Sequence, residues 1–339
     1  EPIKIGFIGP LTGDVANLGQ NSKDAVAMAV EEINSTGGIN GRKLEVVYED
    51  SGCNPQKGAN AVNKLINIDK VPVIIGGACS SETLAGAPMA ESNKVVLFSY
   101  CASAPKISEV GDYIFRDYPS DNFQAKFLAK KIYEMGIRKL AVLYCLSDYC
   151  VGLKDTIEKE FNNLGGKIVA VEGYKQEARD LRTELTKIKS FNPEAIFFVG
   201  YTEATIVGLK QIKELDIKAK IFGADSWDDL TIWEQVGEAG EGAMFTTVAP
   251  AKPNFQEKFK SKTGKEVTIC APQAYDAVKI IAEIMRKVGT NSEAIKNALY
   301  QVKNYQGVSG VISFDSNGDL EVGNYILKVV KSGKPIELK

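Results

Sequence analysis

Two short blocks of small polar residues, Cys79-Ser80-Ser81 and Cys101-Ala102-Ser103, each follow an apolar run, VPVIIGGA and KVVLFSY. A serine hydroxyl placed where a strand ends and a helix begins, together with the free backbone N–H groups of the first turn, makes an anion site. Ser80 fits that description, and it fits a plain helix N-cap equally well. Asp225 closes another apolar run, KAKIFGA. Its carboxylate can meet an ammonium in a short, charge-assisted bond; read from the residue alone, a solvated loop acid or a helix cap is the alternative. Tyr149, within YCLSDYC, and Tyr201, directly after EAIFFVG, each offer a flat apolar face with a hydroxyl at its edge. Tyr201 serves as core filler just as readily.

Other chemistries drop out on composition. The 339 residues include no histidine, which removes Ser-His-Asp and Cys-His triads and His-ligated zinc. With 41 basic residues against 43 acidic ones, no broad electrostatic attraction to nucleic acid or an anionic membrane is expected. No apolar run approaches the ~18 residues of a membrane helix. The chain opens at Glu1 and enters a strand-like run at Ile3, as a processed mature chain would. Six cysteines without a C-x-x-C disfavour zinc ribbons and thioredoxin-type motifs and allow 15 pairings. Their even number favours disulfides and an extracytoplasmic address, with six buried thiols as the alternative. The DSNGD stretch at 315–319 lacks the downstream glutamate of a calcium loop and reads as a hairpin turn.

The elements that must position these residues alternate regularly. Strand-like runs IKIGFIG, KLEVVYED, VPVIIGG and KVVLFS are separated by helical patterns near 22–36, 55–68 and 81–92. The second half repeats the rhythm with KLAVLY, KIVAVEGY, EAIFFVGY and KAKIFGAD, and helices near 151–163, 181–190 and 204–215. Continuously apolar strands signal parallel sheets covered on both faces. The length and the number of units suit two doubly wound α/β lobes. Proline-bearing breaks at 116–124 and 246–255 would serve as crossings between lobes. Helices near 272–288 and 292–300 are followed by GVISFDSNGDLEVGNYILKVV, which reads as antiparallel strands joined at Asn317-Gly318. Ligands of open parallel sheets bind beyond the carboxyl ends of the strands. Both serine blocks, Tyr149, Tyr201 and Asp225 lie at such ends, and a cleft between the lobes is the simplest geometry that would unite them.

Taken nearly end to end, the chain resembles the leucine/isoleucine/valine-binding proteins, type I periplasmic solute-binding proteins of ABC importers. The resemblance rests on IGPLTGDVANLG, INSTGGINGRKLEVVYEDSGCNP, CSSETLA, SDYCVGLKD, GYTEA and FDSNGDL. It implies two lobes joined by a three-crossing hinge, with residues 1–120 plus 250–326 in the first and 121–249 plus 327–339 in the second. It also implies a zwitterion clamp. Ser80 grips a ligand carboxylate, the Ala102 carbonyl takes the ammonium, and Ser103 assists both ends. Tyr149 and Tyr201 close over the ligand, Asp225 pairs with the ammonium, and Cys79, Ser81 and Leu18 complete the surroundings.

Several positions depart from the family pattern. Asp225 stands where the branched-chain binders usually carry glutamate, Ser103 replaces threonine, and Leu18 replaces an aromatic residue. Tyr100 and Cys101 stand where Gly, Ser or Pro are usual, so the side-chain pocket reads as altered. The resemblance further implies a Cys53–Cys79 disulfide. Cys145 and Cys150 flank LSDY, and bridging them would hold Tyr149 ready for ligand. Cys101 and Cys270 are left as a third bridge or two thiols. No cofactor, metal or catalytic residue is expected. The expected partners are an amino-acid ligand, aliphatic or small, and the membrane permease of an ABC importer; nucleic acid is not among them. A periplasmic or otherwise extracytoplasmic monomer is implied, with lipid anchoring of the precursor left open. The alternatives are a ligand-sensing domain of the same fold and an enzyme using the acids Asp225 and Asp228.

Overall fold

The computed structural model describes residues 1–339. Along the first 120 residues run β1 (Ile3–Gly9), α1 (Ala16–Ser35), β2 (Leu44–Asp50), α2 (Pro55–Asn67), β3 (Val73–Ile75), α3 (Ser80–Ser92), β4 (Val96–Ser99) and β5 (Ile114–Arg116). Then come α4 (Asp121–Glu134), β6 (Lys139–Cys145), α5 (Asp148–Asn163), β7 (Lys167–Tyr174), α6 (Arg182–Ser190), β8 (Ala195–Val199), α7 (Thr202–Glu214), β9 (Lys220–Gly223), α8 (Leu230–Val236) and β10 (Met244–Val248). The remainder holds α9 (Pro253–Thr263), α10 (Ala271–Val288), α11 (Ser292–Tyr300), β11 (Tyr305–Gln306), β12 (Val311–Ile312), β13 (Tyr325–Lys331) and β14 (Lys334–Glu337).

The chain divides into two compact units, Glu1–Ser120 with Pro250–Val322 and Asp121–Ala249 with Gly323–Lys339, and passes between them three times. The last boundary therefore falls after Val322, not at the expected 326. The reason is pairing: Tyr325 already opens β13 opposite Val248 of the second unit's sheet. The expected hairpin around Asn317-Gly318 changes for the same reason. Its turn survives as an isolated Phe314–Leu320 bridge, while Tyr325–Lys331 pairs with β10 and β14 instead.

The first unit carries a parallel sheet in the order β2-β1-β3-β4-β5. Ile5, Phe7, Val73, Ile74, Leu97, Phe98 and Phe115 are fully buried, as expected of strands with helices on both faces. Each such side chain contributes roughly 1.5–3 kcal/mol relative to exposure. The second unit's sheet runs β14-β13-β10-β9-β8-β6-β7. It is parallel except at β13, which runs antiparallel to both neighbours. Its core gathers Val142, Leu143, Phe197, Phe198, Phe222, Trp227 and Phe245.

Helix starts follow local chemistry. Asn54 caps α2 by accepting from the Lys57 N–H, with Pro55 at the first position. Ser147 caps α5 by accepting from the Cys150 N–H. Both helices thereby begin immediately beyond the carboxyl end of a strand.

Candidate functional site

In the first unit the ends of β3 and β4 lie side by side, and hydrogen bonds stitch the two serine blocks together. Ser99, the last residue of β4, donates its hydroxyl to the Gly77 carbonyl at 2.6 Å and accepts from the Ala102 N–H at 3.0 Å. The buried Ser80 hydroxyl accepts from the Ala104 N–H at 3.1 Å. Ser80 is not the helix cap: Cys79 holds that position, and Ser80 opens the first turn of α3. Its hydroxyl is thus free to spend its proton elsewhere, at the positive end of the helix dipole.

Ser81, the next residue, is buried, as are Ala102 and Ser103, while Cys101 is half-buried. The Ala102 and Ala104 carbonyls accept from Nη1 of the buried Arg116 at 3.3 and 2.8 Å. Arg116 in turn pairs with Asp319 through Nε at 2.6 Å. One lone pair of the Ala102 carbonyl is therefore already engaged. Leu18 stands half-buried in the first turn of α1.

The sequence places Tyr100 among the residues altering the side-chain pocket, and the structure corrects this. Tyr100 is fully buried, stacks on Phe7 at 5.5 Å between centroids, and donates its hydroxyl to the Ile8 carbonyl at 3.0 Å. It is a core residue.

In the second unit Asp225 is not a solvated acid. It sits in a short 3-10 turn after β9, is 4% exposed, and accepts from the Tyr149 hydroxyl at 2.6 Å and the Gln124 amide at 3.1 Å. Gln124 returns the contact by accepting from the Asp225 N–H at 3.0 Å. It is itself held by Asp121 and by the Thr246 hydroxyl. Burial, then the charges of Asp225 and Asp121, push the Tyr149 hydroxyl well above its ordinary range, so it stays a neutral donor. The Tyr201 ring lies 5.6 Å from that of Tyr149, tilted by 32°. A carboxylate and two aromatic faces are thereby assembled from the ends of β6, β8 and β9.

Gln124 was not singled out from the sequence, although a signal existed. The buried positions of α4 are Asp121, Gln124, Ala125, Leu128, Ala129 and Ile132. Asp121 and Gln124 thus occupy the buried stripe of an amphipathic helix, where polar residues require partners.

All six cysteines are paired: Cys53 with Cys79, Cys101 with Cys270, and Cys145 with Cys150, with Cα separations of 5.4, 5.1 and 5.4 Å. The third bridge spans the turn leading to Tyr149. Replacing Cys145 and Cys150 together by serine is expected to lower stability by about 2 kcal/mol from loop-closure entropy. Ligand affinity should fall only a few-fold, because Tyr149 keeps its bond to Asp225. Denaturant unfolding and calorimetry on the double variant check both; unchanged stability would show that the bridge constrains nothing.

Residues 2–334 match the family described as periplasmic binding protein. Among curated proteins, the chain is 30% identical over 332 residues to the leucine-, isoleucine-, valine-, threonine- and alanine-binding protein of Pseudomonas aeruginosa, covering 95% of this chain and 88% of that one. Among solved structures, a leucine binding protein from Thermotoga maritima superposes with a TM-score of 0.92 at 30% identity, covering 99% and 98% of the two chains. A branched-chain amino acid transporter substrate binding protein from Streptococcus pneumoniae, in complex with isoleucine, superposes with a TM-score of 0.90 at 27% identity over the whole of both chains. With its two doubly wound units, three chain crossings and hydroxyl-rich strand ends, this chain belongs to the periplasmic binding protein family.

Proposed function

We propose that the chain is an extracytoplasmic solute-binding protein that captures a free α-amino acid with an aliphatic or small side chain and delivers it to the permease of an ABC importer. The observation that carries this reading is the buried Asp225 carboxylate, oriented by Tyr149 and Gln124. Such a carboxylate can meet a ligand ammonium in a short, charge-assisted bond. Ser80 and Ser81 with the α3 N-terminus, supported by Ala102 and Ser103, supply the complementary group for a ligand carboxylate. Cys79, Leu18 and Tyr201 offer apolar surface to the side chain. The relatives named above support the same ligand class. The residues perform recognition, and no catalytic step is assigned to them.

The test is titration calorimetry of the purified protein against the twenty amino acids, with a hexose and benzoate as counter-ligands. Aliphatic amino acids are expected to bind with a Kd near micromolar, about −8 kcal/mol. Binding of the hexose or benzoate with no amino acid bound would overturn the proposal.

A further inference from the structure

One acid near the serine blocks has no part in the account so far. Glu82 occupies the third position of α3, where a glutamate can reach back to the N-cap amide. Its Oε1 accepts from the Ala78 N–H at 2.6 Å, and the Cys79 N–H also points to the carboxyl. The side chain is enclosed. An added Cβ at Gly58 of α2 would lie 2.6 Å from the Glu82 Cβ, and one at Gly77 would lie 2.7 Å from Oε1. The Cys53–Cys79 sulfurs and a Glu82 oxygen fall within 4.8 Å of one another. Oε2 is buried without a hydrogen-bond partner.

We propose that Glu82 is a positioning residue for ligand binding: it holds the Ala78 and Cys79 amides from within, so fixing Ser80, and does so as a neutral acid whose ionisation opposes a ligand carboxylate. The proposal rests on the reading that Ser80 and the α3 N-terminus receive that carboxylate. The geometry favours the neutral form, because a carbonyl-like Oε1 suffices for the amides, whereas an ionised Oε2 would be left buried and unsolvated.

The groups around Glu82 point the same way. The end of β2 brings Asp50 and Ser51, α2 brings Gly58 and beside it Lys57, whose Nζ lies near Gly52, and the end of β4 brings Tyr100; the leading influences on the carboxyl are burial, Ser51, the two amides and Asp50. Asp50 is itself ionised: burial pushes its pKa up, but hydrogen bonds from Thr12, Leu11 and Gly52 outweigh that and hold it below its usual value. Burial pushes Glu82 up to about 7, assisted by Asp50 and opposed by Ser51 and the two amides. Near neutral pH Glu82 therefore changes charge at the end of the helix that favours anions.

A bound carboxylate raises the Glu82 pKa further, so binding takes up a proton, and affinity falls as pH rises through 7. The test is calorimetry with L-leucine from pH 6 to 8 in phosphate and in Tris, whose ionisation enthalpies differ, on the wild-type protein and Glu82→Gln. The wild type is expected to take up protons on binding and to lose about fivefold in affinity across that range, as follows if binding raises the carboxyl's pKa by about one unit. Glu82→Gln keeps an amide oxygen for Ala78 and cannot ionise. It should bind as the wild type does at pH 6, without proton uptake or pH slope.

Thermal unfolding without ligand gives a second readout. The folded-state value lies above the ordinary 4.5, so the stability attached to the protonated form is lost as pH rises through 7. That fall should be present in the wild type and absent in the variant. A wild type without proton uptake overturns the proposal even if the variant does not fold. So does a variant that retains the slope, or one weakened equally at every pH. Failure of both proteins to bind leucine overturns the binding reading itself, and this one with it.

Discussion

Replacing Asp225 by asparagine is expected to raise the Kd for an aliphatic amino acid by roughly thirtyfold or more, a loss of about 2–5 kcal/mol. The size follows from burial. Asp225 is 4% exposed, so a ligand ammonium drawn to it leaves water, and without the opposing charge it stays desolvated and unpaired. Folding should suffer much less. An asparagine oxygen can still accept from Tyr149, which donates to Asp225 at 2.6 Å, or from Gln124 at 3.1 Å. The two quantities separate cleanly: calorimetry with leucine reports the first, and unfolding of the unliganded protein reports the second. A change in Kd of less than threefold would remove Asp225 from the ligand site.

The second large effect lies in the first unit and concerns stability. Asp319→Ala should cost about 3–5 kcal/mol, because it leaves a fully buried guanidinium without its counter-ion. Arg116 is 0% exposed and meets Asp319 through Nε at 2.6 Å and Nη2 at 3.2 Å, with the Ser108 hydroxyl completing the group. Such a loss is a large part of a typical domain's 5–15 kcal/mol. Arg116 also holds the Ala102 and Ala104 carbonyls, so leucine affinity should fall with stability. The exposed Lys303–Glu321 pair provides the contrast. With both side chains nearly half exposed, Glu321→Ala should cost less than about 1 kcal/mol. Equal denaturation midpoints for Asp319→Ala and the wild type would show that the buried pair is not needed.

Much of this molecule was legible in the sequence, because period and composition are local properties. Continuous apolar runs such as EAIFFVG and KVVLFS become buried parallel strands whatever lies elsewhere, and Gly, Pro, Asn and Ser mark where helices stop and start. The absence of histidine excluded whole classes of chemistry outright. The hydroxyl blocks at 79–81 and 101–103 were visible as strand-end features, since that position depends only on where an apolar run stops.

What stayed hidden was which polar group meets which partner. The Gln124–Asp225 bond spans 101 residues, and the Arg116–Asp319 pair spans 203. Sequence spacing carries no signal for either. Tyr100 read as pocket lining until stacking on Phe7 placed it in the core. Cys101 and Cys270 were equally consistent with thiols until the fold brought their Cα atoms to 5.1 Å. The last boundary moved to 322 because the pairing of β13 with β10, not the composition of 323–326, decides to which sheet those residues belong. Nothing in the sequence marks Glu82 as buried. Only the close approach of Gly58 and Gly77 encloses it, and burial is what turns an ordinary glutamate into a group that changes charge near neutral pH.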